Sequence, residues 1–168
     1  YGDIGYSFDD VFKDYLIGAE EVTIQDPYIR QKHQVSNFLK LAELLVKIGD
    51  CKNIHLVTSS DDSEQERENK YAFEQIADSL YENDIKFHCI RPATVCGFSP
   101  RMRLDLSVNN LTFLALKFKS MSVSGGDQIR PNIHIQDLIN VYKHFIYNPD
   151  LPSGFYNAGF ENLKIIEI

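Results

Sequence analysis

Ile85-Lys86-Phe87-His88-Cys89-Ile90-Arg91-Pro92-Ala93-Thr94-Val95-Cys96-Gly97-Phe98-Ser99-Pro100 is the stretch that decides how this chain folds. Its first six residues alternate as a β-strand does, with Ile85, Phe87 and Cys89 on one face and Ile90 closing the run. Arg91-Pro92 is expected to stop that strand, because proline lacks the ladder donor and biases its predecessor toward extended geometry. The residues before this strand and those after it follow two different patterns.

Upstream, Ser7 or Asp9 can cap a short helix with Val11, Phe12, Tyr15 and Leu16 as its apolar stripe and Gly18 as its stop. Glu21–Asp26 reads as a strand, broken by Pro27. A helix from about Gln34 to Ile48 places Phe38, Leu41, Leu45 and Ile48 at helical spacing, and Gly49 ends it. Asn53–Thr58 is a second strand, followed by a polar loop and a helix over Glu64–Glu82 with Phe73, Ile76, Ala77 and Leu80 inward. Strands separated by helices of this length make a βαβαβ pattern. Its crossovers are right-handed, so the strands run parallel in one sheet. The fold class expected is α/β, a parallel, doubly wound, Rossmann-like sheet with flanking helices.

In such sheets ligands collect beyond the carboxyl ends of the strands. Those ends carry Asp26–Arg30, Thr58-Ser59-Ser60 and Arg91–Thr94. Arg30, Lys32 and His33 crowd the first of them just before a helix, which is a candidate site for a phosphate or carboxylate.

Composition narrows the function. The chain has 168 residues and a net charge of −7, which argues against broad binding to nucleic acid or anionic membrane. Its three cysteines, Cys51, Cys89 and Cys96, show no metal-ligand spacing and read as reduced thiols of a cytoplasmic protein. No apolar run approaches the roughly 20 residues of a membrane span, and no signal peptide is visible. Tyr1 at the start and the apolar Ile165-Ile166-Glu167-Ile168 at the end read as cuts from a longer chain.

Downstream, a helix is expected from about Leu106 to Phe118, with Val108, Leu111, Leu114, Ala115 and Phe118 on its apolar side. Met121-Ser122-Val123 reads as a short strand, and Arg130–Asp137 as a lead into a helix that turns Ile135, Leu138, Ile139, Tyr142, Phe145 and Ile146 inward. Gly154–Gly159 is a last strand and turn. Asp137 is read as orienting His134 or capping that helix, a structural role for both.

Gly5-Tyr6-Ser7, Asp26-Pro27-Tyr28-Ile29-Arg30, His33-Gln34, Asn37-Phe38 and His55–Ser59, in that order, resemble the C-terminal phospholipase D-like domain of MIT-domain proteins. The resemblance runs from about residue 6 to 88. It implies a phospholipase D-like α/β fold used for binding, to anionic phospholipid in eukaryotic members. The family's His-Asp-Arg and Gly-Trp segments are absent, as is any tryptophan, and the paired His-x-Lys-x₄-Asp motif of phospholipases does not occur.

Arg91–Gly97, Arg130-Pro131-Asn132-Ile133-His134-Ile135-Gln136-Asp137 and Phe155–Gly159 resemble the C-terminal half of extended short-chain dehydrogenases, the NAD-dependent epimerase/dehydratase family. That resemblance implies NAD beside Pro92, Ala93 and Thr94, with a nucleotide-sugar approached by Asn109 and Asn110 and its diphosphate faced by Arg130. A guanidinium fork suits phosphate oxygens. Two parts of that chemistry are missing from the sequence. No Gly-x-x-Gly-x-x-Gly follows an opening strand to cradle a pyrophosphate. Tyr28–Lys32 has the letters of Tyr-x-x-x-Lys, but in the first loop. At the place where the family has that pair, the position four before Lys70 is Glu66, with Glu74 four beyond. The expected organisation is a phospholipase D-like segment over residues 1–88 and a dehydrogenase-like segment over 89–168, packed as one globular unit. The chain is expected to be recombined or fragmentary, catalytically inactive alone, or a binding module for anionic headgroups or phosphates.

Overall fold

A computed structural model describes residues 7–26, 29, 32–58 and 64–168, the side chains of Lys32 and of residues 64–70 excepted. The chain forms two compact units, Tyr1–Arg91 with Asp150–Tyr156, and Pro92–Pro149 with Asn157–Ile168.

In the first unit, α1 (Phe8–Leu16) is started by a capping box: Ser7 Oγ accepts from the Asp10 N–H while the Asp10 carboxylate accepts from the Ser7 N–H. Hydrogen bonds from Ser7 hold the Asp10 carboxyl below its usual range. The expected apolar stripe is not a core. Val11, Phe12 and Tyr15 are exposed, and Leu16 alone of the four packs against the core.

β1 (Glu21–Gln25), α2 (Lys32–Ile48), β2 (Asn53–Val57), α3 (Glu64–Glu82) and β3 (Lys86–Pro92) follow. β1 and β2 are parallel, as are β2 and β3, in the order β1-β2-β3-β6, where β6 is Gly154–Ala158. The two crossovers advance in one direction across the sheet, so right-handedness puts α2 and α3 on the same face. Ile54, Leu56, Phe87 and Cys89 line that face and share a core with Phe38 and Leu45 of α2 and Phe73, Ile76 and Leu80 of α3. Leu41 and Ile48, expected inward, are half-buried; Val35, Ala42 and Leu44 are buried instead. Their neighbours in β2 and β3 are buried too, His55, Val57, His88 and Ile90 among them, as a parallel sheet covered on both faces requires.

Arg91-Pro92 does not stop β3. The β2 ladder ends where the Thr58 N–H reaches the Ile90 carbonyl, and the Ala93 N–H turns the other way, to the Ala158 carbonyl. Successive strand N–H groups alternate in direction, so the donor that Pro92 lacks falls on the β2 side, beyond the last β2 ladder bond among the described residues.

The second unit contains β4 (Thr94–Cys96), α4 (Ser107–Phe118), β5 (Ile129–His134), α5 (Ile135–Tyr147) and β7 (Glu161–Lys164), closed by a 3-10 turn over Ile165–Glu167. β5 is the middle strand, parallel to β4 and antiparallel to β7. Three expectations fail here. Residues 121–123 are not a strand, Arg130–His134 is a strand rather than a lead-in, and Thr94–Cys96 is a strand of its own. Leu138 and Phe145 of α5 are buried as expected, but Ile139 and Ile146 are exposed.

No helix among the described residues is long and apolar enough to cross a membrane.

Candidate functional site

In the first unit, α2 begins seven residues after β1 ends. Its first turn carries Lys32 and an exposed His33 at the carboxyl edge of the sheet, where the N–H groups of a helix start and added cations favour an anion. Arg30 and Tyr28 lie outside the described residues, as do the side chains of Lys32, Glu66 and Lys70. Glu74 is exposed on α3. At the end of β2, Thr58 is buried, and its hydroxyl has no hydrogen-bond partner among the described residues.

A buried histidine pair crosses this sheet and escaped the sequence reading. His55 of β2 and His88 of β3 are register partners, with rings stacked at 5.0 Å and Nδ1 atoms 3.3 Å apart. His88 Nε2 lies 3.1 Å from the Leu151 carbonyl, so it carries the proton and donates. Its Nδ1 then accepts from the His55 Nδ1–H, and His55 Nε2 faces Glu21 Oε1 at 3.5 Å. Burial, then the His88 charge, lowers the His55 pKa to about 4. Burial lowers that of His88 as well. A single histidine in a strand pattern carries no signal of its own, and the register Thr23↔His55↔His88 that stacks the two is set only by the folded sheet.

In the second unit, Pro92, Ala93 and Thr94 are half-buried, and Thr94 pairs with Asn132 across β4 and β5. Asn109 is buried with both halves of its amide used: Oδ1 accepts from the Gly97 N–H and Nδ2 donates to the Arg103 carbonyl, each at 3.0 Å. It latches the loop between β4 and α4. Asn110 is exposed, and exposed Arg130 donates to Gln128 Oε1 at 3.3 Å. The cap of α5 is not Asp137 but His134, whose Nδ1 accepts from the Gln136 N–H.

His134 also presses on Gly97. That glycine has φ +109°, and a Cβ there would stand 2.6 Å from His134 Nε2. Gly97→Ala should therefore cost at least about 1–3 kcal/mol from backbone strain alone, read as a lower melting temperature. An unchanged melting temperature would show that the loop can move aside.

A cavity of about 280 Å³ opens in this unit beside Cys96, Val108, Ile133, His134, Asp137 and Glu161, and none of the six residues proposed for cofactor or sugar lines it. Among the described residues no group of three or more histidine, cysteine or acidic side chains could hold a metal ion.

The geometry defines a class: a parallel α/β sheet unit joined in the chain to a smaller mixed-sheet unit. Solved structures of this fold include the Bordetella bronchiseptica enzyme WbmG in complex with NAD, at 14% identity and TM-score 0.64 over 95% of this chain and 56% of that one. Another is UDP-N-acetylglucosamine 4-epimerase from Bacillus cereus, at 16% identity and TM-score 0.64 over 92% of this chain and 61% of that one. At such identity they establish the fold alone. Residues 5–95 match the family described as the phospholipase D-like domain at the C-terminus of MIT, and the chain belongs to that family. The mouse MIT domain-containing protein 1 is 42% identical over 79 residues, which is 45% of this chain. The chain spans 31% of the length of that curated relative.

Proposed function

We propose that the chain is a non-hydrolytic binding module whose first unit takes a phosphate-bearing ligand at the start of α2, through Arg30, Lys32 and His33. The observation that carries this reading is the exposed His33 in the first turn of a 17-residue helix at the carboxyl edge of a parallel sheet. Membership in a phospholipase D-like family supports the ligand class. The absence of any His-x-Lys sequence removes the pair that phospholipase chemistry needs. The test is flotation with phosphatidylcholine vesicles, plain or carrying a phosphoinositide, alongside titration with inorganic phosphate. Binding is expected to require the phosphate group. Charge reversal of Arg30 and Lys32 together should weaken it by about tenfold or more, two charge-assisted contacts being lost. Equal binding to plain vesicles, or indifference to the reversal, would sink the reading. Phosphate binding without vesicle binding would make the ligand soluble.

A second reading draws on the epimerase-like fold, since one neighbour was solved with NAD. In it, Pro92, Ala93 and Thr94 face NAD, and Asn109, Asn110 and Arg130 face a nucleotide-sugar. The Asn109 latch weighs against that residue's share, because its amide is already committed. The chain carries neither the glycine-rich loop nor the Tyr-x-x-x-Lys pair in place, so we expect it to be catalytically silent alone, with the change of pattern near residues 88–90 joining two segments of different ancestry. Calorimetry with NAD and a turnover assay with UDP-sugars test this; any turnover refutes the silence.

A further inference from the structure

We propose that the second unit binds a small organic ammonium ion with an apolar body, in the 280 Å³ cavity beside β5. The walls divide by chemistry. Ile133 is 4% exposed and Val108 and Leu163 are half-buried, whereas Asp137, Glu161 and Phe160 are exposed. The more buried lining is mostly apolar, with half-buried Asn132 as its polar member, and the exposed lining includes two carboxylates and an aromatic side chain.

Charge decides the sign of the occupant. No lysine or arginine lines the cavity. Among the described residues neither Asp137 nor Glu161 has an ion pair or side-chain hydrogen bond. The one imidazole present, His134, uses Nδ1 as the acceptor that caps α5. Two uncompensated carboxylates repel phosphate and carboxylate ligands and attract a cation. Phe160, in the same lining and 79% exposed, is an aromatic side chain of the kind that attracts cations.

Polarity order decides its shape. The charge must sit at the mouth and the apolar body inside. A lysine side chain on a peptide would enter tip first, placing its ammonium against Ile133 and its stem among the carboxylates. A free amine with an apolar tail enters the right way round. The volume, just under the usual range of about 300–1,000 Å³ for ligand pockets, limits it to one ring or a short chain.

The test is a methyl NMR titration of the whole chain with phenethylammonium, following Ile133 and Leu163. Saturable shifts are expected. Phenylacetate, with the same ring and opposite charge, should give none, and 2-phenylethanol should bind at least about tenfold more weakly. Asp137→Asn with Glu161→Gln should erase the preference of amine over alcohol while leaving the alcohol's affinity unchanged. If that double variant does not fold, the three probes on the native chain still decide. Binding of phenylacetate, parity of alcohol and amine, tighter binding of an N-acetyl-lysine amide, or no saturable shift would each overturn the proposal.

Discussion

Phe87→Ala should lower the stability of the first unit by about 3–5 kcal/mol, the usual cost of emptying a phenylalanine site in a packed core. Phe87 is 0% exposed and sits where three elements meet. Its ring lies 5.7 Å from Phe38 of α2 and 6.4 Å from Phe155 of β6, centroid to centroid, and Ile54 is its register partner in β2. Its N–H also donates to Ser153 Oγ, so the strand is fixed from both sides and cannot shift to fill the hole. Folded domains hold about 5–15 kcal/mol in all, so a loss of this size takes a large share. Because the chain has two units, urea unfolding should be followed by circular dichroism together with methyl signals specific to each unit. The midpoint of the first unit should fall, and that of the second should stay nearer its native value. A loss under about 1 kcal/mol would mean that the core collapses around the cavity.

The same residue shows why most of the first unit was legible in the sequence. Ile85, Phe87 and Cys89 alternate, α2 and α3 carry apolar residues at helical spacing, and Gly49 closes α2 with φ +82°. Local pattern and tertiary role agree there. They part company where a residue's role depends on a partner far away in the chain. Pro92 reads as a stop, but β3 runs through it, beyond the last β2 ladder bond among the described residues. Residues 121–123 have strand composition and no strand to pair with, while Glu161–Lys164 has little strand character and pairs with β5. The α1 stripe has helical periodicity, yet periodicity does not say that anything covers it.

Site residues were less legible for the same reason. Arg30, Lys32 and His33 fall within four consecutive residues and can be grouped on sight. Asn109 was read toward a sugar because its neighbours fit a familiar pattern, but its amide is held by Gly97, twelve residues away, and by Arg103. The carboxylates of Asp137 and Glu161 meet at one cavity only because β5 leads into α5 and pairs with β7. No spacing rule connects them.

Acidification from pH 6.5 to 4 should cost the first unit about 3 kcal/mol through His55 alone. The direction follows from where protons bind. In the unfolded chain His55 takes up a proton near pH 6.5; folded, it resists until about pH 4, chiefly because burial disfavours the charged ring. Between those values the unfolded state holds more protons, so stability rises with pH through the window and is flat above it. The separation of the two pKa values corresponds to about 3 kcal/mol. His88, lowered in the same direction, adds to the slope. The geometry also limits the response. One proton on His55 can be shared with Glu21 at 3.5 Å, but a second on His88 sets two N–H groups against each other across 3.3 Å. That second step would also loosen the Leu151 carbonyl's hold, since the pair would have to separate. His55→Asn keeps a polar atom near Nδ1 and removes the titration. Urea midpoints measured from pH 7 to 4 should fall steeply for the native chain and more gently for the variant, whose remaining slope comes from His88 and the carboxylates. Parallel slopes would show that His55 charges freely in the folded state, with Glu21 meeting the cost of its burial.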